Sequence, residues 1–317
     1  MINVLFNTQD EEDWVRISPT GSSQIYNCNF FFNEEDVPKN TKIDFLVVFN
    51  NYKKLNNNYH NFYNTLLLAC EPPSIHNYNL DYINQFRWIV SSDKKIKHKN
   101  KIYKTTFFPW HVGINRNLKF SNKNLKFKKL YKMGFKKKKL LSIIQTNKSY
   151  CIEHDIRNEI LDKLKQEFGK YIEVFGRDNN YVSDKLNALK DFSYHVCIEN
   201  YFGKNFWTEK LSDPLVTRTN PIYLGCSNIS DYFPKNNFFH LSKHNDEKNL
   251  ILIENIIRKK SHKFLCHKER ELIFTKYNIL TFLDNFIKKN LSTKKKDINI
   301  FSERRKKLLF FKKFKFI

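Results

Sequence analysis

Short apolar runs separated by polar breaks dominate the first third of the chain. They are rich in Val, Ile, Leu and Phe, and read INVLF, KIDFLVVF, NTLLLAC, FRWIVSS and TTFFPW. Runs of this length and composition are typical of buried β-strands rather than of amphipathic helices. The pattern therefore predicts one strand for each run, with helices or loops between them.

The second half alternates between two patterns. LLSIIQTN, YIEVFG, YHVCIEN and PIYLG predict strands, whereas DIRNEILDKLKQEF, SDKLNALKDF and TEKLSDPLV predict helices. Asp155 is placed to cap the first of these helices, whose apolar face comprises Ile156, Ile160, Leu161 and Leu164. Alternating strands and helices indicate a parallel sheet with crossovers, so we expect an α/β fold. Residues 140 to about 240 are predicted to form a doubly wound domain, and the N-terminal half a second one.

Composition narrows the class of protein. Hydrophobic residues make up 41% of the 317 residues, which is enough for packed cores and argues against disorder. The seven glycines form neither G-x-G-x-x-G nor G-x-x-x-x-G-K-[ST], so no glycine-rich phosphate cradle is predicted. Six cysteines without a C-x-x-C pair suit a reducing compartment. No secretory signal is visible and the apolar runs are too short to cross a bilayer, so we expect a cytoplasmic protein.

The net charge of +24 is unevenly distributed. Residues 94–139 hold 17 Lys or Arg and no acidic residue, and residues 291–317 hold ten bases and two acids. The rest of the chain is nearly neutral. Such segregated charge indicates an anionic partner, which can be a nucleic acid, a membrane surface or an anionic substrate.

The stretch IENYFGKNFWTEKLSDPLVTRTNPIYLG, residues 198–225, concentrates polar groups where an α/β sheet binds ligands. Glu199 and Asn200 follow a predicted strand, and Thr208, Glu209 and Lys210 begin the next predicted helix. Ligands of open α/β sheets gather beyond the carboxyl ends of strands, where helix N-termini favour anions. A lysine adds a point charge suited to phosphate. This arrangement alone predicts a phosphate-bearing ligand.

The same stretch resembles the donor-binding motif of the α-1,3/4-fucosyltransferases, glycosyltransferase family 10. The resemblance rests on Glu-Asn, a short spacer, Thr-Glu-Lys-Leu and Pro-Ile-Tyr-Leu-Gly. A second part of the family pattern is a strand followed by Thr-Asn and by an arginine on the next helix. SIIQTNKSYCIEHDIRNEIL is similar to it, with Thr146, Asn147 and Arg157 at these positions. YIEVFGR, CEPPSIHNYNLDYINQFRWIVSSD and FFPWHVG match further, weaker parts of the pattern.

The resemblance, which covers roughly residues 65–245, implies a GT-B architecture with two Rossmann-like domains facing across a cleft. We expect an acceptor-binding domain at residues 1–135 and a GDP-fucose-binding domain at residues 136–290. A basic, aromatic tail would follow at residues 291–317. Three residues depart from the family pattern: Phe206, Pro214 and Arg218. Pro214 lacks an amide donor and predicts a short or kinked helix.

The implied reaction is transfer of L-fucose from GDP-fucose to a sugar hydroxyl, with inversion. The acceptor is expected to be the 3-hydroxyl of a GlcNAc or glucose unit in a surface glycan such as lipopolysaccharide O-antigen. The resemblance assigns donor binding to residues of the C-terminal half: Asn147, Arg157, Glu199, Asn200, Thr208, Glu209 and Lys210. The sequence contains no D-x-D, so no essential metal or other cofactor is expected, and side-chain cations are expected to stabilise the leaving diphosphate.

The general base implied by the resemblance is Glu71, which follows an apolar run and precedes a proline. His76 and His111 remain alternative bases. Arg177 is a weaker candidate for donor binding, because a Gly-Arg turn is common for purely structural reasons.

The basic segments leave alternatives open. ERRKKLLFFKKFKFI interleaves bases with apolar residues, as in segments that lie on anionic membranes, and we expect peripheral contact with the cytoplasmic membrane face through residues 291–317. The same composition is found in proteins that bind single-stranded nucleic acid. The alternatives are the same fold using another nucleotide sugar, a nucleic-acid-binding protein, and an inactive relative; we favour the enzyme and expect no nucleic-acid partner.

Overall fold

The structure of the chain is a computed structural model. It describes residues 1–8, 13–55, 63–117, 124–145, 149, 151–177, 179–234, 237–294 and 300. These residues form two parallel β-sheets with helices packed against them. Asn147 and most of the predicted tail, residues 295–299 and 301–317, lie outside the described residues.

The first sheet has six strands in the described residues, in the order β2-β1-β3-β4-β5-β6. They are β1 Ile2–Thr8, β2 Cys28–Phe31, β3 Phe45–Phe49, β4 Thr65–Ala69, β5 Trp88–Ser91 and β6 Lys101–Tyr103. Every pairing is parallel, and Val47 of β3 lies opposite Leu66 of β4. All residues of β3 and β4 are buried, which is why these two strands read as continuous apolar runs.

Four of the five strands predicted in this part of the chain are confirmed, and one is wrong. TTFFPW forms no strand, because Phe107 takes a left-handed backbone conformation (φ 58°) and stacks on Phe282 at 4.1 Å between ring centroids. The run is apolar because it is buried in a loop. The segment that leads to the second sheet contains helix α2, Phe127–Lys132, and helix α1 is Leu80–Ile83.

The second sheet has five described strands in the order β11-β10-β9-β7-β8. They are β7 Lys139–Ile144, β8 Ile172–Phe175, β9 Phe192–Ile198, β10 Asn220–Leu224 and β11 Phe239–His240. The described helices of this half are α3 Ile152–Phe168, α4 Glu209–Val216, α5 Ile229–Tyr232, α6 Asp246–Lys259, α7 His267–Phe274 and α8 Ile279–Asn290. All pairings are parallel, as the alternating pattern predicts.

Helix α3 presents its predicted apolar face to the core, since Ile160, Leu161 and Leu164 are buried. Its start differs from the prediction. Cys151 is the residue that precedes the helix, and Asp155 lies inside the first turn, where a negative charge still stabilises the helix dipole. The predicted helix SDKLNALKDF is reduced to one 3-10 turn, Lys185–Ala188, whose first amides are capped by Asp184.

Helix α8 leaves the second sheet and packs on the first. The buried carboxylate of Asp284 accepts hydrogen bonds from the amides of Asn27 (2.7 Å) and Cys28 (3.0 Å), at the start of β2. Arg87 donates to the carbonyl of Asn290 at the end of the helix (3.2 Å). Helix α8 therefore connects the two halves of the chain. The limits of the two domains remain a prediction.

The segment between the two sheets is also fixed by two acidic side chains. Asp213 of α4 accepts the amides of His111 (2.6 Å) and Val112 (3.2 Å), and Asp184 accepts the amide of Gly113 (2.9 Å). These contacts hold the segment against the carboxyl edge of the second sheet, beside the cavity described next.

Candidate active site

A cavity of about 460 Å³ lies between the two halves of the chain. Five residues predicted to act in donor binding or catalysis line it: Glu71, Arg157, Asn200, Glu209 and Lys210. Glu71 comes from the first sheet and the other four from the second. The structure thus brings together residues that are up to 139 positions apart in the sequence.

The start of helix α4 forms one wall of this cavity. The helix begins where the sequence predicts, and Thr208 caps it by accepting the amide of Lys210 (3.3 Å). Glu199, just after β9, accepts hydrogen bonds from the amide (2.8 Å) and the hydroxyl (2.7 Å) of Thr208. Glu199 is completely buried behind the cavity wall and does not line it, so it and Thr208 position the residues that do.

Burial raises the pKa of Glu199 from 4.5 to about 7, and the nearby charge of Glu209 adds to the increase. The ammonium of Lys210, 4.0 Å from the Glu199 carboxylate, and the hydrogen bonds from Thr208 oppose it. The effect of burial on the pKa is the larger one, because this carboxylate has no access to water. Glu199 therefore changes its protonation close to neutral pH.

Acidic and basic groups alternate along the wall. Glu209 Oε1 lies 3.3 Å from Lys210 Nζ and 3.4 Å from Lys185 Nζ, and Lys185 Nζ lies 3.0 Å from Asp213 Oδ2. Burial works against ionisation of Glu209, but Lys210 and Lys185 outweigh it and hold the pKa of this carboxyl well below its ordinary value. Glu209 is therefore a carboxylate at neutral pH, held between two ammonium groups.

Arg157 faces the same cavity from helix α3. Its side chain is buried and contacts the Asn158 amide oxygen (3.5 Å), and burial lowers the pKa of its guanidinium. The Oδ1 atom of Asn200 is buried and has no hydrogen-bond partner among the described residues. A cation and an unsatisfied amide oxygen at the carboxyl edge of a parallel sheet suit a ligand with phosphate and hydroxyl groups.

Glu71 enters the cavity from the other side, directly after β4 and Cys70. The amide of Glu71 donates to the Tyr78 hydroxyl (3.2 Å), which donates to Asn50 Oδ1 (2.8 Å). The same oxygen accepts the amide of Cys70 (2.9 Å). These contacts fix the backbone on which the Glu71 carboxylate is carried.

The alternative bases lie outside the cavity lining. His76 packs edge-on against Tyr78 with 4.5 Å between ring centroids. His111 is near enough to Glu209 to lower the pKa of that carboxyl, but neither histidine lines the cavity. Arg177 does not line it either.

Several lining residues were not predicted from the sequence: Arg116, His154, Lys185, His195 and Asp213. Burial lowers the pKa of His195 to about 3, and its Nδ1 shares a hydrogen bond of 2.8 Å with Ser142 Oγ, so this imidazole is neutral. Lys185 carries no signal in the sequence, because it looks like an ordinary solvated lysine until its acidic partner lies beside it. That partner, Asp213, becomes apparent only in three dimensions.

The described residues contain no group of three or more His, Cys, Asp or Glu side chains arranged to bind a metal ion. In the same ranges we find no helix whose length and apolar content would let it cross a membrane.

Comparison with known proteins agrees with this geometry. Residues 135–278 match the sequence profile "Glycosyltransferase family 10 (fucosyltransferase) C-term". A solved structure of an α1,3-fucosyltransferase is 18% identical, with 95% of this chain and 93% of that chain covered and a TM-score of 0.53. Two further α1,3-fucosyltransferase structures are 16% identical (coverage 87% and 90%, TM-score 0.48, with GDP-fucose) and 17% identical (coverage 88% and 92%, TM-score 0.46, with GDP).

The two parallel sheets and the cavity between them have the arrangement of the GT-B fold. Residues 135–278, which carry the wall of the cavity formed by helix α4, are similar to the fucosyltransferases of glycosyltransferase family 10. The resemblance identified in the sequence is confirmed, and so is the fold that it implied.

Proposed function

We propose that the protein transfers L-fucose from GDP-fucose to a sugar hydroxyl with inversion of the anomeric centre. The observation that carries the proposal is the single cavity that places Arg157 and Lys210 on one wall and Glu71 on the other. The match of residues 135–278 to a fucosyltransferase family supports the choice of sugar. The cavity volume of about 460 Å³ is suited to a ligand of the size of a nucleotide sugar.

The residues present account for each part of the reaction. The Glu71 carboxylate takes the proton of the acceptor hydroxyl as that oxygen forms a bond to the anomeric carbon of fucose. The bond from this carbon to the β-phosphate oxygen breaks, and its electron pair leaves with GDP. Arg157 and Lys210 stabilise the negative charge that develops on the diphosphate.

The remaining residues orient the donor. We assign Glu209, held between two ammonium groups, to the ribose hydroxyls or to the positive charge that develops on the sugar. Asn200 offers its amide to the donor, and Asn147, outside the described residues, keeps the donor-binding role implied by the resemblance. Positive charge from side chains supports a reaction that needs no metal ion.

We further propose that the acceptor is a surface glycan, such as a lipopolysaccharide O-antigen, and that the reaction takes place in the cytoplasm at the membrane face. The segregated positive charge supports contact with an anionic membrane. The tail to which we assign this contact lies mostly outside the described residues.

Thermal unfolding with GDP, GDP-fucose, GDP-mannose and UDP-sugars, each with and without EDTA, tests the donor. A ligand at 100 times its dissociation constant stabilises the folded state by about 2.7 kcal/mol. We expect GDP and GDP-fucose to raise the melting temperature of the wild type and of Lys204→Ala, an exposed control, but not of Lys210→Ala. No shift with any guanine nucleotide would overturn the proposal, and a shift abolished by EDTA would overturn metal independence.

The base is tested separately. Glu71→Gln keeps the shape of the side chain but cannot accept the proton, so we expect normal GDP affinity and a decrease in kcat of about 100-fold or more. Retention of kcat in this variant would exclude Glu71 as the base and return attention to His76 and His111.

A further inference from the structure

One residue of the donor cavity, Arg116, comes from the segment that connects the two sheets, between β6 and α2. Among the described lining residues it alone belongs to the acid-free segment 94–139. Its side chain is exposed, and the mechanism proposed above does not use it. In the described part of the chain, the basic segment therefore reaches the donor cavity through a single arginine.

The backbone of Arg116 is held against the wall that carries Lys185. The amide of Arg116 donates to the carbonyl of Ser183 (2.9 Å), and Asp184 caps the 3-10 turn that begins with Lys185. The two cations are close enough to interact. Burial and, to a smaller extent, the charge of Arg116 oppose the rise in the pKa of Lys185 that its two carboxylate partners cause.

The chain on both sides of Arg116 is anchored as well. Before it, Gly113 has a left-handed backbone (φ 84°), and an added Cβ would lie 2.4 Å from Leu125 Cβ, so this turn requires glycine. After it, the Oδ1 atom of Asn117 accepts a hydrogen bond from the Tyr181 hydroxyl (2.8 Å). The position of the Arg116 backbone is thus fixed at the edge of the cavity.

The balance of charge in the cavity depends on this arginine. Histidines aside, the described lining holds four cations and three acids: Arg116, Arg157, Lys185, Lys210, Glu71, Glu209 and Asp213. The two lysines are paired with acids, at N–O distances between 3.0 and 3.4 Å. Arg116, by contrast, forms no ion pair with any residue that the structure describes. Its charge is therefore available to an anionic ligand.

A guanidinium can bind two phosphate oxygens at once, and the leaving diphosphate gains negative charge as the bond to the sugar breaks. We propose that Arg116 is a further donor-binding residue, which binds the diphosphate together with Arg157 and Lys210. This inference rests on the proposed function and adds the connecting segment to the donor site. Because this segment joins the two sheets, a bound donor restrains the connection between the two halves directly.

The test compares the dissociation constants of GDP and guanosine, measured by NMR titration of the full chain. Arg116→Gln should weaken GDP binding about tenfold or more, as expected for one hydrogen bond between charged groups, and leave guanosine binding unchanged. Arg116→Lys should recover part of the loss, because it keeps the charge but not the planar fork. Arg177→Gln is the matched control, since Arg177 is also exposed but does not line the cavity.

A second measurement follows the connecting segment itself. GDP should slow hydrogen exchange of residues 111–117 in the wild type, and should slow it less in Arg116→Gln. Exchange that GDP slows equally in both proteins would overturn the coupling of this segment to the diphosphate.

GDP affinity that is the same in Arg116→Gln and the wild type overturns the proposal. An equal loss of GDP and guanosine affinity also overturns it, since the cavity would then have changed shape. An equal loss in Arg177→Gln would assign the effect to overall charge, with the same consequence. Normal GDP binding by both the wild type and Arg116→Gln overturns this inference alone, whereas a wild type that does not bind GDP overturns the proposed function with it.

Discussion

The carboxylate of Glu199 accepts two hydrogen bonds from Thr208, one from its amide at 2.8 Å and one from its hydroxyl at 2.7 Å. This contact joins the end of β9 to the first turn of α4. It explains why the motif keeps Glu-Asn and Thr-Glu-Lys close together in the sequence. The buried carboxylate fixes the helix start, and the residues next to it, Asn200, Glu209 and Lys210, are thereby directed into the cavity.

The first prediction concerns pH and Glu199. Burial raises its pKa from 4.5 to about 7. Between pH 4.5 and pH 7, Glu199 is therefore protonated in the folded protein and ionised in the unfolded chain. Stability from this group is complete below pH 4.5 and is lost as the pH rises to 7. Glu199→Gln stays neutral, and should be more stable than the wild type by up to about 3 kcal/mol at pH 8.

Urea unfolding at pH 5, 6, 7 and 8 measures the difference between the two proteins. We expect the difference to grow with pH and to level off above pH 7. Glu167→Gln, at an exposed position of α3, should show no such trend. A constant difference between Glu199→Gln and the wild type would show that Glu199 is ionised throughout this range.

The second prediction concerns Lys185, which lies between Glu209 and Asp213. Burial disfavours its charge, but these two carboxylates outweigh burial and raise the pKa of the ammonium. Lys185→Met leaves two buried carboxylates without this partner, which should cost about 3 kcal/mol of unfolding free energy. Because Glu209 also loses its position, the affinity for GDP should fall as well.

Lys190→Met provides a matched control in the same segment, since Lys190 forms no ion pair among the described residues. Lys185→Arg should recover part of both losses, because it restores the charge. Stability is measured by urea unfolding and GDP affinity by calorimetry. Unchanged GDP affinity in a destabilised Lys185→Met would limit this lysine to a structural role.

The sequence predicted the parts of the site that are local in the chain. Thr208 at the helix cap, with Glu209 and Lys210 after it, follows from the order of strand, loop and helix alone. Lys185 and Asp213 were missed because each looks like an ordinary solvated residue until the other is beside it. Their contact joins a 3-10 turn to a helix 28 residues away, and no local pattern specifies such a pairing.

In the fold, too, local features were predicted from the sequence and features that depend on distant contacts were not. Strands β3 and β4 were predicted because both faces are buried and the apolar run is continuous. Strand β6, with three residues, is too short to give a pattern. SDKLNALKDF has helical spacing but forms only a turn, because Asp184 caps that turn and also binds the amide of Gly113. Tertiary contacts therefore override the local preference.

The third prediction concerns Lys137, a half-buried lysine outside the cavity. Its ammonium donates to the carbonyls of Leu189 (3.1 Å), Lys190 (3.1 Å) and Thr217 (2.9 Å) and to the hydroxyl of Thr219 (2.8 Å). Lys137→Met leaves buried acceptors without a donor, so unfolding free energy should fall by about 3 kcal/mol. Lys136→Met and Lys138→Met, at the exposed neighbouring positions, should each change it by less than about 0.5 kcal/mol.

Urea unfolding of the three variants provides the measurement. Equal stability of Lys137→Met and its neighbours would mean that the three carbonyls find other donors. The contacts join the chain before β7 to the turns before β9 and β10, so we expect hydrogen exchange in these turns to increase in Lys137→Met.

The last prediction concerns Arg218, one of the three departures from the family pattern. Its backbone is left-handed (φ 56°), a conformation that glycine adopts without cost and that costs other residues about 1 kcal/mol. Its Nε is buried and has no hydrogen-bond partner among the described residues. Its charge also adds to burial in lowering the pKa of Arg270 to about 10. Arg218→Gly should therefore stabilise the fold by about 1 kcal/mol.

Arg218→Ala separates the effect of the left-handed backbone from the effect of the guanidinium charge. Alanine removes the guanidinium but keeps the left-handed conformation, so it should gain much less than glycine if the backbone dominates. An equal gain in both variants would assign the effect to the charge near Arg270, and a loss in both would show that the Arg218 side chain stabilises the fold. Because Arg218 does not line the donor cavity, GDP affinity should be the same in all three proteins. The departure from the family pattern at Arg218 then affects stability and leaves donor binding intact.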